Sequence, residues 1–128
     1  MKLASIIVRT KNEGKWIRRC LEAIYDQTYT NVEVVVVDSG STDNTLSILD
    51  EFADQRLILV HYEGDYIPGK SLNFGCQNAN GEYFVFLSAH CIPASKTWLE
   101  NLLIGLNESP RVYRRLFFLS HAALHDSV

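Results

Sequence analysis

Glu33-Val34-Val35-Val36-Val37-Asp38-Ser39-Gly40-Ser41-Thr42-Asp43-Asn44-Thr45 decides how this chain folds. Val34 to Val37 are apolar and β-branched without alternation, as in a strand covered on both faces of a parallel sheet. Asp38 ends the run, because a charge does not continue into a dry core. Ser39-Gly40-Ser41 turns the chain, and Thr42 or Asp43 can cap a helix whose apolar residues begin at Leu46. A buried strand thus ends in a carboxylate, with a helix start a few residues on. In open α/β sheets, ligands bind in the crevice outside such strand ends. The same residues also suit a plain Asx-turn, so the other strand ends must decide.

On the N-terminal side, Leu3 to Thr10 reads as a strand centred on Ile6, Ile7 and Val8. Lys11-Asn12-Glu13-Gly14 follows as a loop, with Asn12 placed to cap the next helix. Trp16, Ile17, Cys20, Leu21, Ile24 and Tyr25 form an apolar stripe at helical spacing. On the C-terminal side, Leu46, Leu49, Phe52 and Ala53 give a second helix its buried face, and Leu57 to Val60 is a third strand. His61 to Lys70 holds Gly64, Pro68 and Gly69 and reads as a surface loop. Leu72, Gly75, Cys76 and Ala79 mark a third helix, Asn80-Gly81 a turn, and Tyr83 to Leu87 a fourth strand ended by Ser88. Leu99, Leu102, Leu103 and Leu106 mark a fourth helix, capped by Ser95 or Thr97. From Asn107 the periodicity fades. Strands alternating with helices imply right-handed crossovers and a mostly parallel sheet. The expected fold is a three-layer α/β/α, Rossmann-like nucleotide-binding domain over residues 1–107, with 108–128 as a tail.

The 128 residues fit one ordinary domain with its own core. A net charge of −3 gives no electrostatic case for nucleic acid or an anionic membrane. No apolar run approaches the ~20 residues that span a bilayer, and Arg9 comes too early for a signal peptide. Cys20, Cys76 and Cys91 lack metal-type spacing, so reduced thiols in the cytoplasm are expected. His121 and His125 have helical ligand spacing but no Glu beside the first, which favours an irregular tail over a zinc site.

Four strand ends share one edge of a parallel sheet: Thr10 to Glu13, Asp38 to Gly40, His61 to Glu63, and Ser88 to His90. Hydroxyl, amide, carboxylate and imidazole groups converge there, while the opposite edge offers mainly short turns. No G-x-G-x-x-G follows the first strand, which argues against a dinucleotide oxidoreductase. A carboxylate after the second strand can accept hydrogen bonds from a nucleobase or ribose. The diphosphate then falls near the fourth strand end.

Ser5 to Gly14, followed by Arg19 to Tyr29, resembles the opening of family-2 glycosyltransferases, which invert and have the GT-A fold. Val36 to Thr45 is similar to that family's V-D-D-G-S-T-D-x-T motif, and Asn73-x-Gly75 and Ala79 to Tyr83 follow in its order and spacing. The resemblance covers about residues 3–106. It implies a nucleotide-sugar donor and a saccharide or lipid-linked acceptor, with a role in bacterial cell-surface polysaccharide synthesis. The protein would be cytoplasmic or peripheral at the inner face of the membrane. By position, Thr10, Lys11, Asn12 and Glu13 would line the nucleotide, with Lys11 standing where the family often has an aromatic. Asp38, Ser39 and Gly40 would hold base or ribose, and Ser88 and Ala89 would lie at the diphosphate. Lys70 either meets the diphosphate or stays solvated.

Two departures follow. Ser88-Ala89-His90 stands where the family has D-x-D, whose second Asp binds Mg²⁺ or Mn²⁺. A neutral imidazole can ligate Mn²⁺, whereas Mg²⁺ prefers oxygen. His90 is therefore a metal ligand, a hydrogen-bond donor to phosphate, or a cap on the strand. The family's acceptor half, which carries the catalytic base, has no counterpart after Asn107. Inefficient transfer by this chain alone is expected, with an apolar docking surface that favours a homo-oligomer. The rival readings are a non-catalytic nucleotide-binding or assembly module and a nucleotidyltransferase.

Overall fold

The computed structural model describes residues 1–64, 68–108 and 117–118. Nine elements follow in order: β1 (Ala4–Thr10), α1 (Ile17–Tyr25), β2 (Val32–Asp38), α2 (Thr45–Asp50), β3 (Leu57–His61), α3 (Pro68–Gln77), β4 (Tyr83–Ser88), α4 (Trp98–Glu108) and β5 (Phe117–Phe118). The strands lie in the order β3-β2-β1-β4-β5, and every pair is parallel. The chain moves outward from β1 to β3, then returns past β1 to lay down β4. That reversal places a topological switch point between the carboxyl ends of β1 and β4.

The unalternated valines follow from burial on both faces. Val34 and Val36 join Ile6, Val8, Val85 and Leu87 in a core with Ile17, Leu21 and Ile24 of α1, Ile48 and Leu49 of α2, and Leu99 and Leu103 of α4. Val35 and Val37 join Ile7 and Phe86 on the other face, against Leu72, Phe74 and Cys76 of α3. Three helices thus cover one face and α3 the other, giving the expected three-layer α/β/α domain.

Several local expectations are corrected. Asn12 does not cap α1: it has φ +53°, and the N-cap is Trp16, which makes no side-chain cap bond. Asn44, not Thr42 or Asp43, occupies the N-cap of α2. Asp43 still serves that end, because its Oδ1 accepts the Thr45 N–H at 2.9 Å. Ala53 lies beyond α2 and is exposed, because the helix ends at Asp50. The loop expected through Lys70 gives way earlier, at Pro68, the residue type best suited to a first helical position. Ala79 lies past the end of α3 but still packs on the second cluster. Phe117 and Phe118 of the expected irregular tail pair with Val85 and Phe86 as β5. His121 and His125, and the side chain of Leu106, lie outside the described residues.

The opposite sheet edge holds more than short turns. Glu33, 6% exposed, accepts the Ser5 hydroxyl at 2.6 Å and the Asn80 N–H at 2.6 Å. Ser5 Oγ in turn accepts the Gly81 N–H at 2.8 Å. One buried carboxylate therefore ties β1, β2 and the turn before β4 together.

Candidate functional site

Register brings the strand ends level: Thr10 lies opposite Asp38, Asp38 opposite His61, and Arg9 opposite Ser88. Asp38 is 1% exposed. Its Oδ2 accepts the N–H groups of Gly40 and Ser41, each at 3.0 Å, and its Oδ1 accepts the Ser41 hydroxyl. Gly40 makes this turn with φ +98°, a conformation that favours glycine. The Asx-turn and the strand-end carboxylate are therefore one structure. The turn holds the Asp38 side chain fixed.

Two hydroxyls beside it are unspent. Thr10 Oγ1 and Ser39 Oγ are buried without a hydrogen-bond partner among the described residues. Burying an unsatisfied polar group costs about 1–3 kcal/mol, and such groups call for a ligand, water or ion. Both flank Asp38, Thr10 across the strand pair and Ser39 next along the chain.

The loop after β1 is stitched to the loop after β2. Asn12 Oδ1 accepts the N–H groups of Thr42 at 2.7 Å and Asp43 at 3.2 Å, while its own N–H donates to Ser41 Oγ at 2.9 Å. Glu13 N–H donates to Thr45 Oγ1 at 2.9 Å, and Gly14 N–H to Asp43 Oδ2 at 3.0 Å. The hydrogen bonds from Thr45, with that from Gly14, hold the Asp43 carboxyl below its ordinary value. Ser41, Asp43 and Thr45 are thus scaffold for the site. The signal for them was the run of short polar side chains after Gly40, the residue types that bond to nearby backbone in turns.

At the switch point, His90 Nδ1 lies 3.0 Å from Glu13 Oε2 and 3.0 Å from Ser88 Oγ. Three residues that were placed at two strand ends therefore touch. Ala89 does not offer its side chain to a ligand: it is 0% exposed and part of the core, and its N–H donates to Arg9 O at 3.1 Å. Lys11 is exposed after β1, and Lys70 is exposed on the first turn of α3. The described contacts tie neither lysine to the strand-end groups. Among the described residues, no group of three or more His, Cys, Asp or Glu side chains is arranged to hold a metal. No described helix is long and apolar enough to cross a membrane.

The family model for glycosyl transferase family 2 matches residues 5–114. The chain is 38% identical over 90 residues to the glycosyltransferase GlyG of Streptococcus pneumoniae, covering 69% of this chain and 30% of that protein. It is 35% identical over 98 residues to a dolichyl N-acetyl-alpha-D-glucosaminyl phosphate 3-beta-D-2,3-diacetamido-2,3-dideoxy-beta-D-glucuronosyltransferase of Methanococcus voltae, covering 73% of this chain and 30% of that protein. Among solved structures, the mannosyltransferase PcManGT of Pyrobaculum calidifontis, in complex with GDP-Man and Mn²⁺, superposes with a TM-score of 0.77 at 34% identity, covering 85% of this chain and 33% of that one. TarS 1–349 of S. aureus, in complex with UDP-GlcNAc, gives 0.75 at 31% identity, covering 84% of this chain and 32% of that one. The chain spans about a third of the length of the curated relatives it matches. Its fold is of the GT-A type, shared with these glycosyltransferases, and the chain belongs to glycosyl transferase family 2.

Proposed function

We propose that this chain is the donor-binding part of an inverting glycosyltransferase that uses a nucleoside-diphosphate sugar. The observation that carries this reading is the fixed Asp38 carboxylate flanked by the buried hydroxyls of Thr10 and Ser39, which have no hydrogen-bond partner among the described residues. A base or ribose edge would take up these groups. Asn12 and Gly40 hold the turn that presents them, and the diphosphate would extend toward Ser88 and His90. An acceptor hydroxyl would attack the anomeric carbon in line as the nucleoside diphosphate leaves, while a base takes its proton. The base is not assigned to any residue of this chain. The acceptor we assign is a saccharide or a lipid-linked one, at the cytoplasmic side of cell-surface polysaccharide synthesis. The name of the Methanococcus relative, whose acceptor is a dolichyl phosphate sugar, supports the lipid-linked class.

For the divalent cation, His90 is the residue that would hold it. Its ring nitrogen already engaged by a carboxylate is the arrangement usual for a metal-bound histidine. One imidazole without a carboxylate pair suits Mn²⁺ better than Mg²⁺. When bound, the cation supplies neutralisation of the leaving diphosphate.

Calorimetry with uridine, guanosine, adenosine and thymidine diphosphates, with and without Mn²⁺, tests the reading. One of these should bind and the others weakly. A folded chain that binds none of them overturns it.

A further inference from the structure

We propose that the free edge of β3 pairs antiparallel with β3 of a second copy of this chain, about a twofold axis at Leu59, so that two sheets join into one.

β3 ends the strand order β3-β2-β1-β4-β5, and among the described residues no backbone group bonds to its outer side. The ladder decides which of its groups are left over. The Arg56 carbonyl accepts the Val34 N–H at 3.1 Å, and the Tyr62 N–H donates to the Asp38 carbonyl at 2.8 Å. Residues along a parallel strand bond alternately to one side and the other. Ile58 and Val60 therefore face β2, while Leu57, Leu59 and His61 turn their N–H and C=O groups outward. Edges that stay unpaired are guarded by lysine, proline, a bulge or an inward charge. β3 has none of these: it reads Leu-Ile-Leu-Val-His, and its register with β2 runs unbroken from Leu57 to His61. Its apolar residues are only half-buried.

A second copy is the partner this edge fits. The outward residues are symmetric about Leu59, so an antiparallel copy sets Leu59 opposite Leu59 and Leu57 opposite His61. All their outward N–H and C=O groups then find partners. Side chains opposite each other in such a pair share a face. Ile58 thus meets Val60 on the α3 side, and Leu59 meets its equivalent on the side of the other helices. Charge points the same way. Arg56, exposed and donating also to Asn31 Oδ1 at 3.3 Å, precedes the strand, and exposed Glu63 follows it. Antiparallel pairing brings each arginine toward the glutamate of the other copy, whereas parallel pairing would set like charges together. The carboxyl ends of the two β3 strands point in opposite directions, so the Asp38 edge of each copy stays open.

One short strand makes a small contact, and small contacts associate weakly. Sedimentation velocity of the 128-residue chain from about 20 μM to about 1 mM should therefore show a monomer–dimer equilibrium. Amide hydrogen exchange read by NMR locates the contact: the Leu59 N–H should gain protection as concentration rises, while Ile58 and Val60 stay protected throughout. His61→Pro removes an outward N–H that β2 does not use, a position where an edge strand tolerates proline. It should keep the thermal midpoint and raise the dimer dissociation constant about ten-fold or more. Leu59→Lys, which sets two like charges together on the axis, should leave a folded monomer. A wild-type chain that is monomeric at about 1 mM overturns the proposal. So does a dimer that survives in both variants, or one in which Leu59 exchange ignores concentration, because the copies would then meet through another surface.

Discussion

Ser5 and Glu33 sit directly opposite each other in the β1–β2 register, and the Ser5 hydroxyl donates to the Glu33 carboxylate at 2.6 Å. Burial alone would push this carboxyl up. The Asn80 N–H, the Ser5 hydroxyl, the Asn80 amide and the charge of Arg56 outweigh it, and the group lies below its ordinary value. The network closes the sheet edge remote from the site.

Glu33→Ala should therefore cost about 1–3 kcal/mol, because Ser5 and Asn80 lose a buried acceptor. A folded-state value below the unfolded one means stability that is present above the ordinary glutamate range, about pH 4.3, and is lost as pH falls through the folded value. Urea unfolding midpoints across pH 3–7 should fall more steeply in acid for the wild type than for Glu33→Gln. Parallel curves would remove Glu33 from the acid response.

Gly75 sets how closely α3 approaches the sheet. A Cβ at this position would stand 2.5 Å from Ile7 Cγ2 and 2.9 Å from Val37 Cγ2. Both methyl groups belong to buried, β-branched side chains with one strongly preferred rotamer or few. Neither can swing aside cheaply. Gly75→Ala should destabilise by about 1–3 kcal/mol, the usual cost of overpacking, outweighing its gain in helix propensity. Gly69→Ala, which meets nothing within 4 Å, is the matched control. Equal denaturation midpoints for the two variants would contradict this account.

The parallel sheet was legible because Val34 to Val37 and Tyr83 to Leu87 carry unbroken apolar runs, which only two-sided burial explains. Asp38 was legible for the same reason, as the charge that stops such a run. What stayed hidden depends on long-range contact. Nothing local in Glu33 distinguishes a buried carboxylate from a solvated one; its partners Ser5 and Asn80 are 28 and 47 residues away by number. The meeting of Glu13 with His90 spans 77 residues and needs the switch point between β1 and β4 to be known. Asn12 misled because asparagine suits both an N-cap and the left-handed conformation, and the pull of Thr42 and Asp43 on its Oδ1 settled the choice.

The three cysteines should differ sharply in reactivity. Cys20 and Cys91 are 0% and 2% exposed, while Cys76 is partly exposed on α3. Burial pushes the Cys20 thiol far above its ordinary value, and raises Cys91 and Cys76 too. Thiolate is the reactive form. A disulfide reagent at pH 8 should titrate Cys76 in the native chain, more slowly than a free thiol, and reach Cys20 and Cys91 only on unfolding. Rapid labelling of Cys20 without unfolding would show that α1 opens locally.

The last prediction concerns Asp38. Its carboxylate accepts three hydrogen bonds from its own turn, so removing it has two consequences that must be separated. Asp38→Ala frees the Gly40 and Ser41 N–H groups and loosens the loop that Asn12 also grips, which lowers stability. It also takes away the charged acceptor we assign to base or ribose. That loss should weaken nucleoside diphosphate binding by about 1.5–3 kcal/mol, the scale of a hydrogen bond to a charged group. Asp38→Asn separates the two. Its amide oxygen can still accept from the turn, whereas the neutral group is a weaker acceptor for a nucleotide N–H or hydroxyl. Denaturation should place Asp38→Asn near the wild type in stability, and calorimetry should place it between wild type and Asp38→Ala in affinity. Thr10→Val, which deletes a buried hydroxyl that has no hydrogen-bond partner among the described residues, should leave stability level or raised while still lowering affinity. If both Asp38 variants bind as tightly as the wild type while remaining folded, the carboxylate serves only the turn, and the nucleotide must lie elsewhere along the strand ends.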